Sequence, residues 1–374
     1  MKITLIGTAY PLRGGIAHYN AILVQHLKTH HHVEVITFKR QYPKLLFPGR
    51  SQEETGSPGI PIETTQLVDS INPFNWIRVG LIVRRNRPDL LIFKYWLPFF
   101  GACFGTISAI ARWRTKTKVL FICDNVVPHE HRPGDKLLTR FAFHFADAYI
   151  VQSGQVERDL LLLKPDARYR MVPHPVYEIF GKPMSQYEAR IKLHIPPEKP
   201  TILFFGYIRP YKGLMTLLDA LPIVAREMDL TTLVVGEFYE DEKPYREKVA
   251  SLALGDRLRV VSEYVPNEDV ALYFSAADVV VLPYLSATQS GIVQIAYNFD
   301  KPVIATNVGG LPEVVIHQRT GLIVPPNDPQ ALAKAIVEFF QSGWLSEYTA
   351  HVREEKKKYS WDRLVEAIEE LVVP

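Results

Sequence analysis

Two cations three residues apart, Arg209 and Lys212, stand in the stretch FFGYIRPYKG (204–213), between a strand-like run closed by Gly206 and a helix-like run opened by Gly213. A guanidinium and an ammonium beside a helix N-terminus suit a diphosphate, because the fixed charges and the helix dipole both stabilise negative charge on a departing phosphate. Taken alone, the stretch reads equally well as a solvated turn with two surface cations. A second candidate anion site lies in LPYLSATQSGIVQIAYNFDKPVIATNVGGLPEVV (282–315). There Ser290, Gly291 and Ile292 open a helix with apolar positions Ile292, Ile295, Ala296 and Phe299, which leaves the first amides to bind an anion and lets a ligand approach the glycine closely. Its plainer reading is a strand-to-helix turn capped by Ser290. Between Pro283 and Lys301 the only acidic residue is Asp300, at the far end of the helix, so chemistry here proceeds without a carboxylate beside the ligand.

Three further loops bear on the same question. PLRGGIAHYN (11–20) sets Gly14 and Gly15 between strand and helix, where bare backbone could lie against a diphosphate; a lone Gly-Gly lacks the spacing of a dinucleotide fingerprint and is otherwise a turn. ICDNVVPHEH (122–131) gathers Asp124, Asn125, His129, Glu130 and His131 at a strand end, suited to binding sugar hydroxyls or to acting as a base, with a surface loop as the alternative. The THHHV run (29–33) reads as a solvated helix end, because adjacent histidines seldom converge on one ion. No two aspartates stand two apart, so a paired-aspartate motif for a metal-bound nucleotide sugar is missing, and no metal site is expected.

These loops must be held by strands and helices. Strand-like runs at 2–8, 32–38, 89–95, 118–124 and 148–153 alternate with helical patterns such as 15–30. A second series at 201–207, 231–237, 257–263, 278–284 and 302–307 alternates with helices at 213–227 and 267–276. Such alternation predicts an α/β fold of two doubly wound, Rossmann-like domains, whose ligands lie beyond the carboxyl ends of the strands, in a cleft if the two sheets face each other. The expected division is 1–185, 186–355 and a helix in 356–374 that packs back on the first domain. Residues 40–72, rich in Pro, Gly and Ser, predict a long loop.

A length of 374 residues fits two domains rather than one core. The net charge of +3 argues against a dedicated nucleic-acid binder, and Cys103 and Cys123 form no metal-spaced or redox pair. The opening MKITLIGTAY moves directly into a strand, which predicts a cytoplasmic protein. The most apolar run, 95–111, is shorter than the roughly 20 residues of a spanning helix and contains Pro98. Basic residues Arg78, Arg84, Arg85, Arg87, Arg112, Arg114, Lys116 and Lys118 flank it, with Trp96, Phe99, Phe100 and Phe104 inside it and Trp113 just beyond. It reads either as a buried helix beside a solvated basic face or as a peripheral contact with the inner face of an anionic membrane.

Through GTAYPLRGGIAHYN, FFGYIRPYKG, EYVPNEDVALYFSAADVVVLPY and KPVIATNVGGLPEVV, over nearly its full length, the chain resembles the retaining family-4 glycosyltransferases (glycosyl transferases group 1) of GT-B fold. The resemblance implies a glycosyltransferase of the cell-envelope polysaccharide kind. Its partners would be a nucleotide sugar donor and a glycan or lipid-linked acceptor, with no separate cofactor and no metal. It assigns Gly15, with Gly14, to the donor phosphate region, Arg209 and Lys212 to the diphosphate, Val265 to the nucleotide base, and Gly291 with Ile292 to the phosphate-binding helix start. The sequence departs from the family's two glutamates: the matching positions hold Thr288 and Ala296 in one register, or Ala287 and Ile295 in another. Cys123 stands where a histidine is usual before the aspartate. Thr288, Gln289 and Ser290 would then make neutral contacts in place of a carboxylate. A catalytically silent nucleotide-sugar or glycan-binding protein and a GT-B sugar-nucleotide epimerase are the competing readings.

Overall fold

The computed structural model describes residues 1–43, 51–54, 59–128 and 132–372. The chain divides into two compact units, Met1–Pro175 rejoined from Ser360 onward, and Val176–Tyr359. The divisions therefore fall after Pro175 and Tyr359 rather than after 185 and 355.

The first unit is built from β1 (Lys2–Ile6), α1 (Gly15–Leu27), β2 (His32–Arg40), β3 (Thr65–Asp69), α2 (Pro73–Asn86), β4 (Leu90–Tyr95), α3 (Gly101–Arg112), β5 (Lys118–Cys123), α4 (Asp135–His144), β6 (Ala148–Val151), α5 (Gly154–Leu163) and β7 (Tyr169–Met171). Its sheet is parallel throughout, in the order β3-β2-β1-β4-β5-β6-β7. The central strands β4 and β5 are apolar but for Lys94 and Lys118 because helices bury both their faces. Crossovers that step in one direction across a parallel sheet place their helices on one face, so α2, α3, α4 and α5 share a layer opposite α1. Under that layer lies an aromatic core in which Phe93 meets Phe104 at 4.7 Å and Phe121 meets Phe143 at 5.3 Å. The expected loop 40–72 is interrupted by β3, an edge strand that its Pro- and Gly-rich surroundings concealed; parts of that segment lie outside the described residues.

The second unit comprises α6 (Gln186–Lys192), β8 (Thr201–Phe205), α7 (Leu214–Glu227), β9 (Thr231–Val235), α8 (Lys243–Leu252), β10 (Leu258–Val261), α9 (Asn267–Ala276), β11 (Val279–Leu282), α10 (Gly291–Asn298), β12 (Val303–Thr306), α11 (Leu311–Val314), β13 (Gly321–Val324), α12 (Pro329–Gln341) and α13 (Leu345–Glu355). Its parallel sheet runs β10-β9-β8-β11-β12-β13. The sequence then returns to the first unit as α14 (Trp361–Val372), which packs on α1; the Trp361 and Tyr19 rings meet edge-on at 4.9 Å. In both sheets the strand order reverses once, at β1/β4 and at β8/β11. At such a reversal neighbouring loops leave in opposite directions and open a crevice above the strand ends.

Candidate donor site

In the second unit the crevice at β8/β11 is where the cation loop and the helix start meet. Gly206, in the left-handed region at φ 102°, follows β8, and a Cβ there would lie 3.0 Å from Lys212 Nζ and 3.1 Å from the Ile292 side chain. The absence of a side chain therefore brings Lys212 and the first turn of α10 to one point. Lys212 sits in a short 3-10 turn, Pro210–Lys212, ended by Gly213 at φ 67°. A Cβ on Gly213 would lie 1.9 Å from the Pro283 carbonyl oxygen, so only glycine lets this turn rest on the loop after β11. The Leu285 amide donates to the Tyr211 carbonyl at 2.7 Å and locks the two loops together.

Burial takes water from Lys212, and the neighbouring Arg209 repels it, so its pKa falls to about 7. Its Nζ stands 5.6 Å from the centroid of the buried Tyr284 ring, whose hydroxyl lies 3.4 Å from Ser290 Oγ. A site that holds a cation in this state gains from any anion that restores its proton. Ser290 makes no side-chain cap on α10, so it does not occupy the first amides, those of Gly291 and Ile292. Thr288 is buried and its carbonyl accepts from the Gly310 amide at 3.2 Å, which ties Thr288 and Gln289 to the turn after β12.

Around Arg209 the structure assembles a group that sequence reasoning missed. The Arg209 guanidinium lies 5.2 Å from the centroid of the Tyr239 ring; Tyr239 packs on Tyr207 at 4.3 Å, and Tyr207 faces Tyr264 at 6.4 Å. These tyrosines follow β9, β8 and β10, and the half-buried Val265 adjoins Tyr264. Their shared position just past three neighbouring strands was the available signal. Flat apolar faces beside a cation suit a planar heterocycle attached to phosphates. Gln294 was also missed: it is buried in α10, and its Oε1 has no partner among the described residues. An orphaned amide oxygen accepts a hydroxyl readily.

In the first unit the β1/β4 crevice holds a buried polar cluster. Lys94 is only 1% exposed, makes a 2.7 Å ion pair with Asp124 Oδ1, donates to Gln152 Oε1 at 3.1 Å and lies 3.3 Å from the Tyr19 ring centroid. Burial lowers the Lys94 pKa and the Asp124 carboxylate opposes the fall. The paired Asp124 carboxylate can still accept hydroxyls through its other lone pairs. His174 packs edge-on against Tyr19, and burial lowers its pKa to about 3, which keeps it neutral. Asn125 Nδ2 reaches the Trp96 carbonyl at 3.5 Å. Gly14 precedes α1 at φ 108° and Gly15 is its first residue. His129, with Glu130 and His131, lies outside the described residues. A lysine inside the apolar run LLIFKYW was the sequence signal for this cluster.

Comparison with known proteins identifies the family and the fold. The model described as glycosyl transferases group 1 matches residues 199–342, and that of Glycosyltransferase Family 4 matches residues 13–177. The chain belongs to the group 1, family-4 glycosyltransferases. It is 30% identical over 202 residues to a D-inositol 3-phosphate glycosyltransferase of Corynebacterium glutamicum, across 51% of this chain and 48% of that protein. It therefore spans about half the length of the curated relatives it matches. In fold it resembles sucrose-phosphate synthase from Thermosynechococcus elongatus, with a TM-score of 0.75 at 22% identity over 99% of this chain and 97% of that one. It also resembles an Anabaena protein solved in complex with UDP-glucose, with a TM-score of 0.74 at 18% identity over 99% and 98% of the two chains. This is the GT-B fold.

Proposed function

We infer that this protein is a retaining glycosyltransferase that moves a sugar from a nucleotide diphosphate sugar to a glycan or lipid-linked acceptor. The observation that carries the reading is the buried Lys212 ammonium beside Arg209, set against the open start of α10 at the strand reversal of the second unit. Membership of the family and the UDP-glucose complex of the similarly folded Anabaena protein support a nucleotide sugar. In the reaction the acceptor hydroxyl oxygen bonds to the anomeric carbon from the face the leaving group departs. The bond between that carbon and the β-phosphate oxygen breaks, and the acceptor proton passes to the released diphosphate. Arg209, Lys212 and the Gly291 and Ile292 amides stabilise the charge that develops there. The Tyr207, Tyr239 and Tyr264 faces take the base, with Val265 beside them. Thr288, Gln289 and Ser290 supply neutral contacts where the family has carboxylates, the Gln294 Oε1 accepts a hydroxyl, and Asp124 and Asn125 accept sugar hydroxyls.

Screening UDP-, GDP- and ADP-sugars for thermal stabilisation, followed by product analysis with and without acceptors, tests the reading. A ligand at about 100 times its dissociation constant adds about 2.7 kcal/mol. Stabilisation without transfer or donor hydrolysis would make the protein a binder, and a changed sugar without an acceptor would make it an epimerase. Because Arg209 and Lys212 supply the positive charge, activity is expected to survive EDTA; complete loss restored by Mg²⁺ or Mn²⁺ would overturn that assignment.

Lys212 also sets an expected pH dependence. Its pKa in the fold, about 7, lies below its ordinary 10.5, so between these values the unfolded chain holds a proton that the folded one has released. Its contribution to stability therefore rises with pH across that window. A bound diphosphate restores the proton, so stabilisation by a nucleoside diphosphate should be largest below about pH 7 and shrink above it. Thermal shifts recorded across the window check this, and Lys212→Met should flatten the profile.

A further inference from the structure

The apolar run 95–111 does not face outward: Phe100 and Phe104 are fully buried and Trp96 nearly so. The outward-facing apolar surface lies elsewhere, on α2 and its neighbours. Phe74 is 84% exposed, Leu81 46% and Ile77 44%, and with Arg78 and Arg85 they follow the i, i+3, i+4, i+7, i+11 spacing of one helix stripe. Val79, Gly80 and Val83 face the opposite way, into the fold. Trp113, 57% exposed, continues the surface at the end of α3 and stacks under the Arg84 guanidinium at 4.5 Å from its centroid. On α4, Leu137 and Phe141 are exposed, with Arg140 between them.

Glycines bring these three helices close together. A Cβ on Gly80 would lie 2.8 Å from Ile110, one on Gly101 2.4 Å from the Leu138 carbonyl oxygen, and one on Gly105 2.6 Å from the Phe141 ring. The small outer residues of α3 thus sit between two apolar, basic stripes. No acidic residue occurs from Ile71 to Pro88 or from Leu97 to Lys118. Arg112 and Lys118 are held by Asp147, but Arg78, Arg84, Arg85, Arg87, Arg114 and Lys116 make no ion pair among the described residues.

We propose that the α2–α3–α4 face of the first unit docks on an anionic lipid bilayer, with Phe74, Ile77, Leu81 and Trp113 entering the headgroup region and the arginines and Lys116 on lipid phosphates. Apolar side chains in a field of cations, with no acid on α2 or α3, match an anionic interface, where area burial and charge act together. A protein partner of equal fit would have to supply its own acidic rim.

The test is flotation with phosphatidylcholine vesicles, with and without phosphatidylglycerol, at low and high salt. It needs neither donor nor acceptor, so its outcome is separate from that of the transfer assay. The protein should float with the anionic vesicles at low salt, and less so at high salt. Phe74→Ser with Leu81→Ser should abolish flotation, and Arg78→Glu with Arg85→Glu should lower it at least about thirtyfold, given the worth of each cation at such a surface. All four positions face solvent, so the variants should melt with the parent. Absence of the parent from anionic vesicles, or variants that float equally well, would overturn the proposal. So would a dimer in sedimentation velocity that Phe74→Ser dissolves while vesicle binding persists.

Discussion

Lys212→Met is expected to lower turnover about 10²- to 10³-fold, the loss typical of removing one preorganised donor from a developing oxyanion. Methionine keeps the length of the stem in the buried pocket over Gly206 but removes the ammonium that strengthens its contact as the phosphate departs. Folding stability at neutral pH should hold or rise, because burial already disfavours the charged lysine. Steady-state kinetics beside a thermal melt separates the two effects. Near-normal turnover would remove Lys212 from the chemistry, and a collapse in melting temperature would make the kinetic loss a folding effect.

Gly309→Ala is the substitution expected to cost the second unit most. Gly309 follows β12 at φ 50°, and a Cβ there would lie 1.5 Å from the Ala287 carbonyl oxygen and 2.5 Å from its carbon. No rotamer relieves such a contact, because both atoms are backbone. The left-handed conformation adds about 1–2 kcal/mol for any residue with a Cβ. A total of about 3 kcal/mol follows once the loop is displaced, or roughly 6–12 °C in the melting of a unit of this size. The displaced segment carries Thr288 and Gln289, so donor stabilisation should fall as well. Melting at the parent temperature would show that the loop gives way freely.

How far the sequence foretold this arrangement depended on what fixed each element. Strands such as β4, β5, β9 and β11 lie inside their sheets, and their apolar runs identify them without help from neighbours. The strands β3, β7 and β13 escaped because they lie at sheet edges, where pairing with one neighbour, not a pattern of their own, makes them strands. Arg209, Lys212 and Gly291 were legible because phosphate chemistry needs those residue types beside helix starts. Lys94 was not: its meaning lies in Asp124 and Gln152, which β5 and β6 bring beside it from distant sequence. Of the two readings of 95–111, the buried helix is the one that Phe100 and Phe104 bear out; the exposed apolar stripe of α2 went unread, since hydrophobicity alone does not say which side of a sheet layer an apolar residue faces.

The first unit is begun first and finished last. Between Pro175 and Ser360 the whole second unit is synthesised, and at about 5–20 residues per second that interval lasts on the order of ten to forty seconds. Until α14 arrives, the α1 surface that Trp361 covers beside Tyr19 stands bare to water. The nascent chain thus carries a sticky, nearly complete sheet domain for the time it takes to make another, which makes the ribosome exit, rather than the finished enzyme, the place where this architecture is most exposed to aggregation and most dependent on chaperones.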